Sequence, residues 1–374
     1  MTSDTSIIPV KMPKWGLSMQ EGKVLHWWKT PGDLLAEGED LLDVETTKIT
    51  NTAESPVSGL LRRIVAEPEE TLPVGALLAV VADEATSDEA IDRFIEEFQS
   101  SFVPEAVEDA AGGGLALRIV HAGPHLLRVG TTSGEGVPIV LLHGFGADLN
   151  NWLFNVEPLS AAAPVIAIDL PGHGASSKDV GDGSLESLAA AVGQALGALG
   201  IEQAHLVGHS LGAAVAMRLA LDSPGLARSL TLIAPAGLPG SEVSPSFLTG
   251  FAQAERTRDL RSVLEQLVAD PALISRDMVE DVLRFKRLDG AQEALAVLCE
   301  RMLDGGDFRA LQARLKELPP ALVIASRGDA IVGAPDEHAL PTGWRLSWID
   351  GAGHMPHVEK AAEVNALILS AMKA

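Results

Sequence analysis

The chain has 374 residues, 47% of them hydrophobic, which is long for one domain and enough to build two real cores. Acidic side chains outnumber basic ones by 51 to 28, and the formal charge of -23 argues against nucleic acid or an anionic membrane as a partner. Cys299 is the only cysteine, so no intrachain disulfide can form and nothing points to an oxidising compartment. The opening Met1-Thr2-Ser3-Asp4-Thr5 lacks the basic region and apolar core of a secretory signal, and no apolar run reaches membrane-spanning length, so a cytoplasmic protein is expected.

Short strand-like runs come first, at residues 7–10, 22–28, 40–45, 59–65 and 76–81, broken at Pro31-Gly32-Asp33, Ser55-Pro56 and Val74-Gly75. Strands this short and evenly spaced predict a small all-β sandwich or flattened barrel. Its most informative residue is Lys48, in Glu45-Thr46-Thr47-Lys48-Ile49, because a tight turn between two strands holds a lysine clear of the sheet. Most turn lysines are simply solvated. Here Met12-Pro13-Lys14-Trp15-Gly16-Leu17-Ser18-Met19 precedes it and Ser55-Pro56-Val57-Ser58-Gly59 follows, and with these residues the segment resembles a lipoyl domain over nearly all of residues 6–82. The resemblance implies that Lys48 is amide-linked to lipoic acid. Thr47 stands where that family usually has Asp. A biotin carrier is the close rival, but it normally flanks its lysine with Met, and neither Thr47 nor Ile49 matches.

Residues 84–114 read as a linker that contains a short amphipathic helix. Ile91, Phe94, Ile95, Phe98 and Phe102 fall at helical spacing on an acidic segment, and Ser87 is a plausible N-cap. The favoured expectation is that this helix packs on the chain's own second domain; docking to a partner subunit is the alternative. Pro104 and Gly112-Gly113-Gly114 follow.

From residue 115 onward, apolar runs at 139–142, 165–168, 205–207, 229–233, 321–325 and 345–349 alternate with Ala/Leu-rich helical stretches such as 185–199 and 213–221. Continuous apolar strands alternating with helices predict a parallel sheet covered on both faces. Residues 235–318 carry helical periodicity without a strand-like run and read as a lid over the carboxyl ends of the strands, where such folds bind ligands.

Gly208-His209-Ser210-Leu211-Gly212 sits between the strand 205–207 and the helical stretch behind it, the context in which this glycine–serine pattern makes a nucleophile elbow. A serine hydroxyl needs a base to take its proton and an acid to orient that base. Asp329 follows the strand 321–325, and His354, in Gly351-Ala352-Gly353-His354, follows 345–349, giving the chain order Ser, Asp, His. Asp336 and His357 remain alternatives for acid and base. The expected oxyanion donors are the backbone N–H groups of Leu211 and of Phe145 in His143-Gly144-Phe145-Gly146, while His143, Asp169 and His173 read as structural. By these motifs residues 115–374 resemble the α/β-hydrolase fold family.

The whole chain thus reads as a lipoyl domain (1–83), a linker (84–114) and an α/β-hydrolase domain with a helical lid (115–374). That fusion resembles the dihydrolipoamide acetyltransferase components of acetoin dehydrogenase complexes. The resemblance implies acetyl transfer from S-acetyldihydrolipoyl-Lys48 to coenzyme A, with a thiamine-diphosphate-dependent acetoin dehydrogenase component and dihydrolipoamide dehydrogenase as partners. The His-x-x-x-Asp-Gly motif of ordinary 2-oxo acid dehydrogenase transferases is missing from the sequence. Two other readings stay open. The second domain is a serine hydrolase acting on esters, thioesters or C–C bonds beside a lipoyl domain used only as carrier, or the chain is a carrier and scaffold with a vestigial triad. Arg327, Arg256, Arg258 and Arg261 are candidates to meet coenzyme A phosphates, with surface solvation as the simpler role.

Overall fold

The computed structural model describes residues 7–13, 21–45, 50–102, 110–111 and 115–373. The chain divides into two compact units, Met1–Glu108 and Asp109–Ala374.

The first unit pairs two four-stranded antiparallel sheets. One runs Ile8–Lys11, Leu77–Val81, Gly59–Ile64, Leu34–Leu35; the other runs Thr50–Glu54, Asp40–Glu45, Glu21–Trp27, Thr71–Pro73. Val10, Val24, Leu41, Leu42, Val44, Leu61 and Leu78 fill the space between them. This is the expected all-β sandwich, with Leu34–Leu35, Thr50–Glu54 and Thr71–Pro73 as strands that the sequence pattern did not reveal. Lys48 lies outside the described residues. The strands on either side of it, Asp40–Glu45 and Thr50–Glu54, form a hairpin with Glu45 opposite Thr50.

The amphipathic helix forms as predicted at Asp88–Ser101, with the Ser87 side chain accepting from the Ala90 N–H. Its partner differs from the expectation. Ile91 is fully buried against Leu77 and Val80 of the first unit, and Phe94, Ile95 and Phe98 pack against the same cluster. Arg62 and Arg63 reach Asp88 and Asp92 at 3.2 and 2.8 Å. The strand Leu77–Val81 is buried at every position, because one face meets the sandwich core and the other meets this helix.

The second unit is built on a nine-stranded sheet in the order Arg345–Ile349, Ala321–Ser326, Ala227–Ile233, Ala204–His209, Ile139–Leu142, Val165–Ile168, His125–Thr131, Leu115–Ala122, Ala110–Ala111. The first six are parallel to one another, as predicted. The last three are antiparallel, so the sheet is mixed. Strand alternation divides the core into two layers. Val140 and Leu142 face the helices Leu185–Ala198 and Leu211–Asp222, while Ile139 and Leu141 face Leu153–Ser160 and Ala361–Ala371.

Between Ala227–Ile233 and Ala321–Ser326 the described residues form five α-helices, Pro245–Gln253, Thr257–Leu264, Arg276–Lys286, Ala291–Asp304 and Gly306–Gln312. These make the helical lid. Cys299 lies inside it, 6% exposed, and burial pushes its thiol pKa up. Among the described residues, no helix is long and apolar enough to cross a membrane.

A buried ion pair holds the turn after Val165–Ile168. Asp169, with no exposed surface, accepts from Arg128 Nε at 2.6 Å and from the backbone N–H groups of Leu149 and Ala175 at 2.8 Å each. Arg128→Met would strand that carboxylate in the core, so unfolding stability is expected to fall by about 3–5 kcal/mol in a denaturant titration. A loss within measurement error would contradict the structural role given to Asp169.

Candidate active site

Ser210 stands between the strand Ala204–His209 and the helix Leu211–Asp222 with φ 53° and ψ -113°, a left-handed conformation rare for a residue with a side chain. The flanking glycines make the turn possible. A Cβ on Gly208 would lie 2.4 Å from the Gly212 carbonyl oxygen, and one on Gly212 would lie 2.2 Å from that of Leu142. The helix behind the serine begins at Leu211, and its positive end favours charge developing in front of it. The loop after Ile139–Leu142 lies alongside, since a Cβ on Gly144 would approach the Ser210 Cβ to 3.2 Å. Phe145 follows in that loop, its ring edge-on to His173 and to the lid residue Phe251 at 6.1 and 5.5 Å between centroids.

The structure brings His354 and Asp329 together. His354 Nδ1 donates to Asp329 Oδ2 at 2.8 Å, and both side chains are almost fully buried. The other oxygen, Asp329 Oδ1, accepts from the N–H groups of Ile331 and Val332 at 2.8 and 2.9 Å. A carboxylate held from three directions fixes the His354 tautomer and leaves Nε2 as the basic nitrogen.

The alternatives are engaged elsewhere. Asp336 Oδ1 accepts from the His338 N–H at 3.0 Å, capping a 3-10 turn. His357 donates from Nε2 to Asn151 Oδ1 at 2.6 Å, with its ring against Trp152 and His209. His143 accepts the Leu170 N–H on Nε2 at 3.0 Å and donates from Nδ1 to the Gly144 carbonyl at 2.8 Å, a bridging role that suits its reading as structural. Of the cations considered for phosphate contact, Arg327 lies over the Trp348 ring at 4.3 Å and Arg261 donates to the Ile274 carbonyl at 3.0 Å.

His209 escaped the sequence reading. Its Nε2 donates to the His354 carbonyl at 2.8 Å, tying the nucleophile strand to the histidine loop, and its ring packs on His354 and His357 at 4.8 and 4.4 Å. Burial, and then the His357 and His354 rings, hold its pKa well below the ordinary value, so it stays neutral. The only hint in the sequence was its place between Gly208 and Ser210.

A serine on a strand-to-helix elbow, a histidine oriented by a buried carboxylate and a helical lid define an α/β hydrolase, here joined to a small two-sheet domain of the biotinyl/lipoyl type. The comparisons with known proteins agree. Residues 139–367 match the alpha/beta hydrolase family, and residues 8–81 match a family described as biotin-requiring enzyme. Among solved structures, a 2-hydroxy-6-oxo-6-phenylhexa-2,4-dienoate hydrolase from Rhodococcus superposes with a TM-score of 0.63 at 23% identity, over 70% of this chain and 99% of that one, which shows the fold. The dihydrolipoyllysine-residue acetyltransferase component of the acetoin cleaving system of Pseudomonas putida is 45% identical over 99% of both chains. Its counterpart in Cupriavidus necator is 40% identical over 97% of this chain and 96% of that one. The chain belongs to this family of acetyltransferase components.

Proposed function

We propose that the chain moves an acetyl group from S-acetyldihydrolipoyl-lysine to coenzyme A during acetoin cleavage, with Ser210, His354 and Asp329 as its machinery. The observation that supports this site is the buried His354–Asp329 bond at 2.8 Å, taken together with an elbow serine held at φ 53°. Lipoate belongs on Lys48. Asp40–Glu45 and Thr50–Glu54 pair as a hairpin, and in the sequence between them Lys48 is the one side-chain amine for an amide link. When attached, lipoate supplies the dihydrolipoyl thiol that carries the acetyl group as a thioester.

The protein's residues then act in two half-reactions. His354 Nε2 takes the Ser210 proton as Oγ attacks the thioester carbonyl, and passes that proton to the departing thiolate. The backbone N–H groups of Phe145 and Leu211 receive the oxyanion, an interaction for which each donor is typically worth roughly 3–4 kcal/mol. Asp329 stabilises the imidazolium that forms. In the second half the coenzyme A thiol gives its proton to His354, its sulfur takes the acetyl group, and Ser210 recovers its hydrogen. Water in place of coenzyme A would give acetate, so transfer requires that the lid keep water from the acyl group.

Membership of an acetoin cleaving system places the chain in a multienzyme assembly. Within it, a thiamine-diphosphate-dependent acetoin dehydrogenase component would be the acetyl source and dihydrolipoamide dehydrogenase would reoxidise the lipoyl arm, in a cytoplasmic setting.

The test loads the lipoylated chain with acetyl and measures acetyl-CoA against acetate, with and without coenzyme A. Acetyl-CoA as the main product supports transfer; acetate formed at the same rate whether or not coenzyme A is present means a hydrolase. Lys48→Arg is expected to remove the lipoyl mass increment and to leave only transfer from free acetyl-dihydrolipoamide. Lipoylation that persists in that variant would place the arm on another lysine.

A further inference from the structure

We infer that Glu359 is a positioning residue for His354, acting by fastening the lid to the loop that carries the histidine. The inference rests on the proposed role of His354 as base. Glu359 ends the short helix Pro356–Glu359, and its two carboxylate oxygens serve different parts of the fold. Oε1 accepts the Gly353 N–H and Oε2 accepts the N–H of Ala269 in the lid, each at 2.7 Å. Such bonds from an ionised carboxylate are shorter and roughly twice as strong as neutral ones.

The same stretch of lid touches the histidine itself. The His354 N–H donates to the Leu267 carbonyl at 2.8 Å, while the His354 carbonyl accepts from His209. Contact is close enough to demand glycine at 353, where a Cβ would lie 2.8 Å from the Val268 carbonyl carbon and 2.9 Å from the Ala269 nitrogen. Backbone groups on both sides of His354 are therefore held, one of them directly by the lid segment that Glu359 anchors. The acid loop is strapped to the other end of the lid in the same manner. Ser244 N–H donates to the Ile331 carbonyl at 2.7 Å, Gly333 N–H to Glu242 at 3.0 Å and Asp336 N–H to Pro239 at 2.8 Å.

Both triad loops are thus registered against the lid. Movement of residues 267–269 away from the histidine loop would break the His354 N–H bond to Leu267 and the Ala269 bond to Glu359. Full proton-transfer competence therefore belongs to the closed lid, with Glu359 as the latch.

The test compares Glu359→Gln and Glu359→Asp in the full lipoylated chain. Gln keeps the shape but turns an amide N–H₂ toward one of two backbone donors, whereas Asp keeps the charge one methylene short. A displacement of the base of about 1 Å can cost on the order of 100-fold in rate. Expected are a kcat at least about tenfold lower for Gln, a smaller loss for Asp, KM for the acetyl donor within about twofold and near-normal thermal unfolding. If Gln does not fold, the Asp variant decides by the same criteria. The inference is overturned by a kcat within twofold of wild type, by a loss confined to KM, or by a loss that matches the unfolded fraction. Ser210→Ala run in parallel keeps the two claims apart. Full activity in that variant brings down the triad reading and this one with it, while an inactive Ser210→Ala beside an unaffected Glu359→Gln brings down this one alone.

Discussion

Ser210→Ala is expected to lower acetyl transfer more than about ten-thousand-fold, because removing the nucleophile of a triad removes the concerted work of all three members. What survives should be the modest contribution of binding and the two backbone donors. The elbow adds a second expectation. Ser210 sits at φ 53°, ψ -113°, where a Cβ is strained by roughly 1–3 kcal/mol, and alanine keeps that Cβ. Ser210→Gly removes it, at some cost in backbone entropy. Glycine should therefore be as inactive as alanine yet more stable by about 1 kcal/mol, which in a domain this size is a shift of roughly 2–4 °C in melting temperature. Acetyl-CoA formation by the holoprotein and calorimetry on the same samples read both effects. Transfer within tenfold of wild type in either variant would remove Ser210 from the mechanism.

The second large expectation concerns acid. His143, His173, His209 and His357 are buried in the hydrolase unit, none more than 4% exposed. Burial pushes His143 down to about 4 and His357 to about 3, and depresses His173 and His209 well below the ordinary value near 6.5. In the unfolded chain all four take up protons below about pH 6.5 that the folded protein refuses. The stability they allow is thus fully present above that pH and drains as pH falls toward the folded values. Four refused protons correspond to a limiting slope of about 5 kcal/mol per pH unit. Against a typical total of roughly 5–15 kcal/mol, cooperative unfolding is expected between about pH 4 and 5.5. A circular dichroism titration checks this, and His357→Gln should flatten the slope by about one proton. Stability that holds level down to pH 4 would show that these rings accept protons in place.

Much of the fold lies open in the sequence because its strands are short, apolar and punctuated. Ile139–Leu142 and Val165–Ile168 fall at the predicted residues, since a buried parallel strand has no polar face to blur its pattern. The hairpin Leu115–Ala122 and His125–Thr131 was not legible for the opposite reason. It lies near the sheet's edge, where Ile119 is 52% exposed, Arg118 and His121 interrupt the run, and alternation fails. The stripe on Asp88–Ser101 announced that something must cover it but not what. The clue was Leu77–Val81, five consecutive apolar residues in an otherwise alternating domain, which asks for a second covering layer. At the site, pattern and chain order identified Ser210, Asp329 and His354 as candidates and left Asp336 and His357 open. Only geometry assigns the His354 Nδ1 contact to Asp329. His209 and Glu359 were invisible because each works on backbone atoms of segments 145 and 90 positions away, which no linear spacing encodes.

The lid's single thiol gives this architecture a further property. A catalyst that passes activated acyl groups between sulfur atoms risks scavenging its own cargo, since any accessible cysteine is a rival acceptor. Cys299 is the chain's only cysteine, it is packed inside the lid with a raised pKa, and it presents little surface and little thiolate to such cargo. The chain's one thiol is thereby shielded from acylation, leaving the lipoyl arm and the incoming acceptor as the sulfur partners of the transfer.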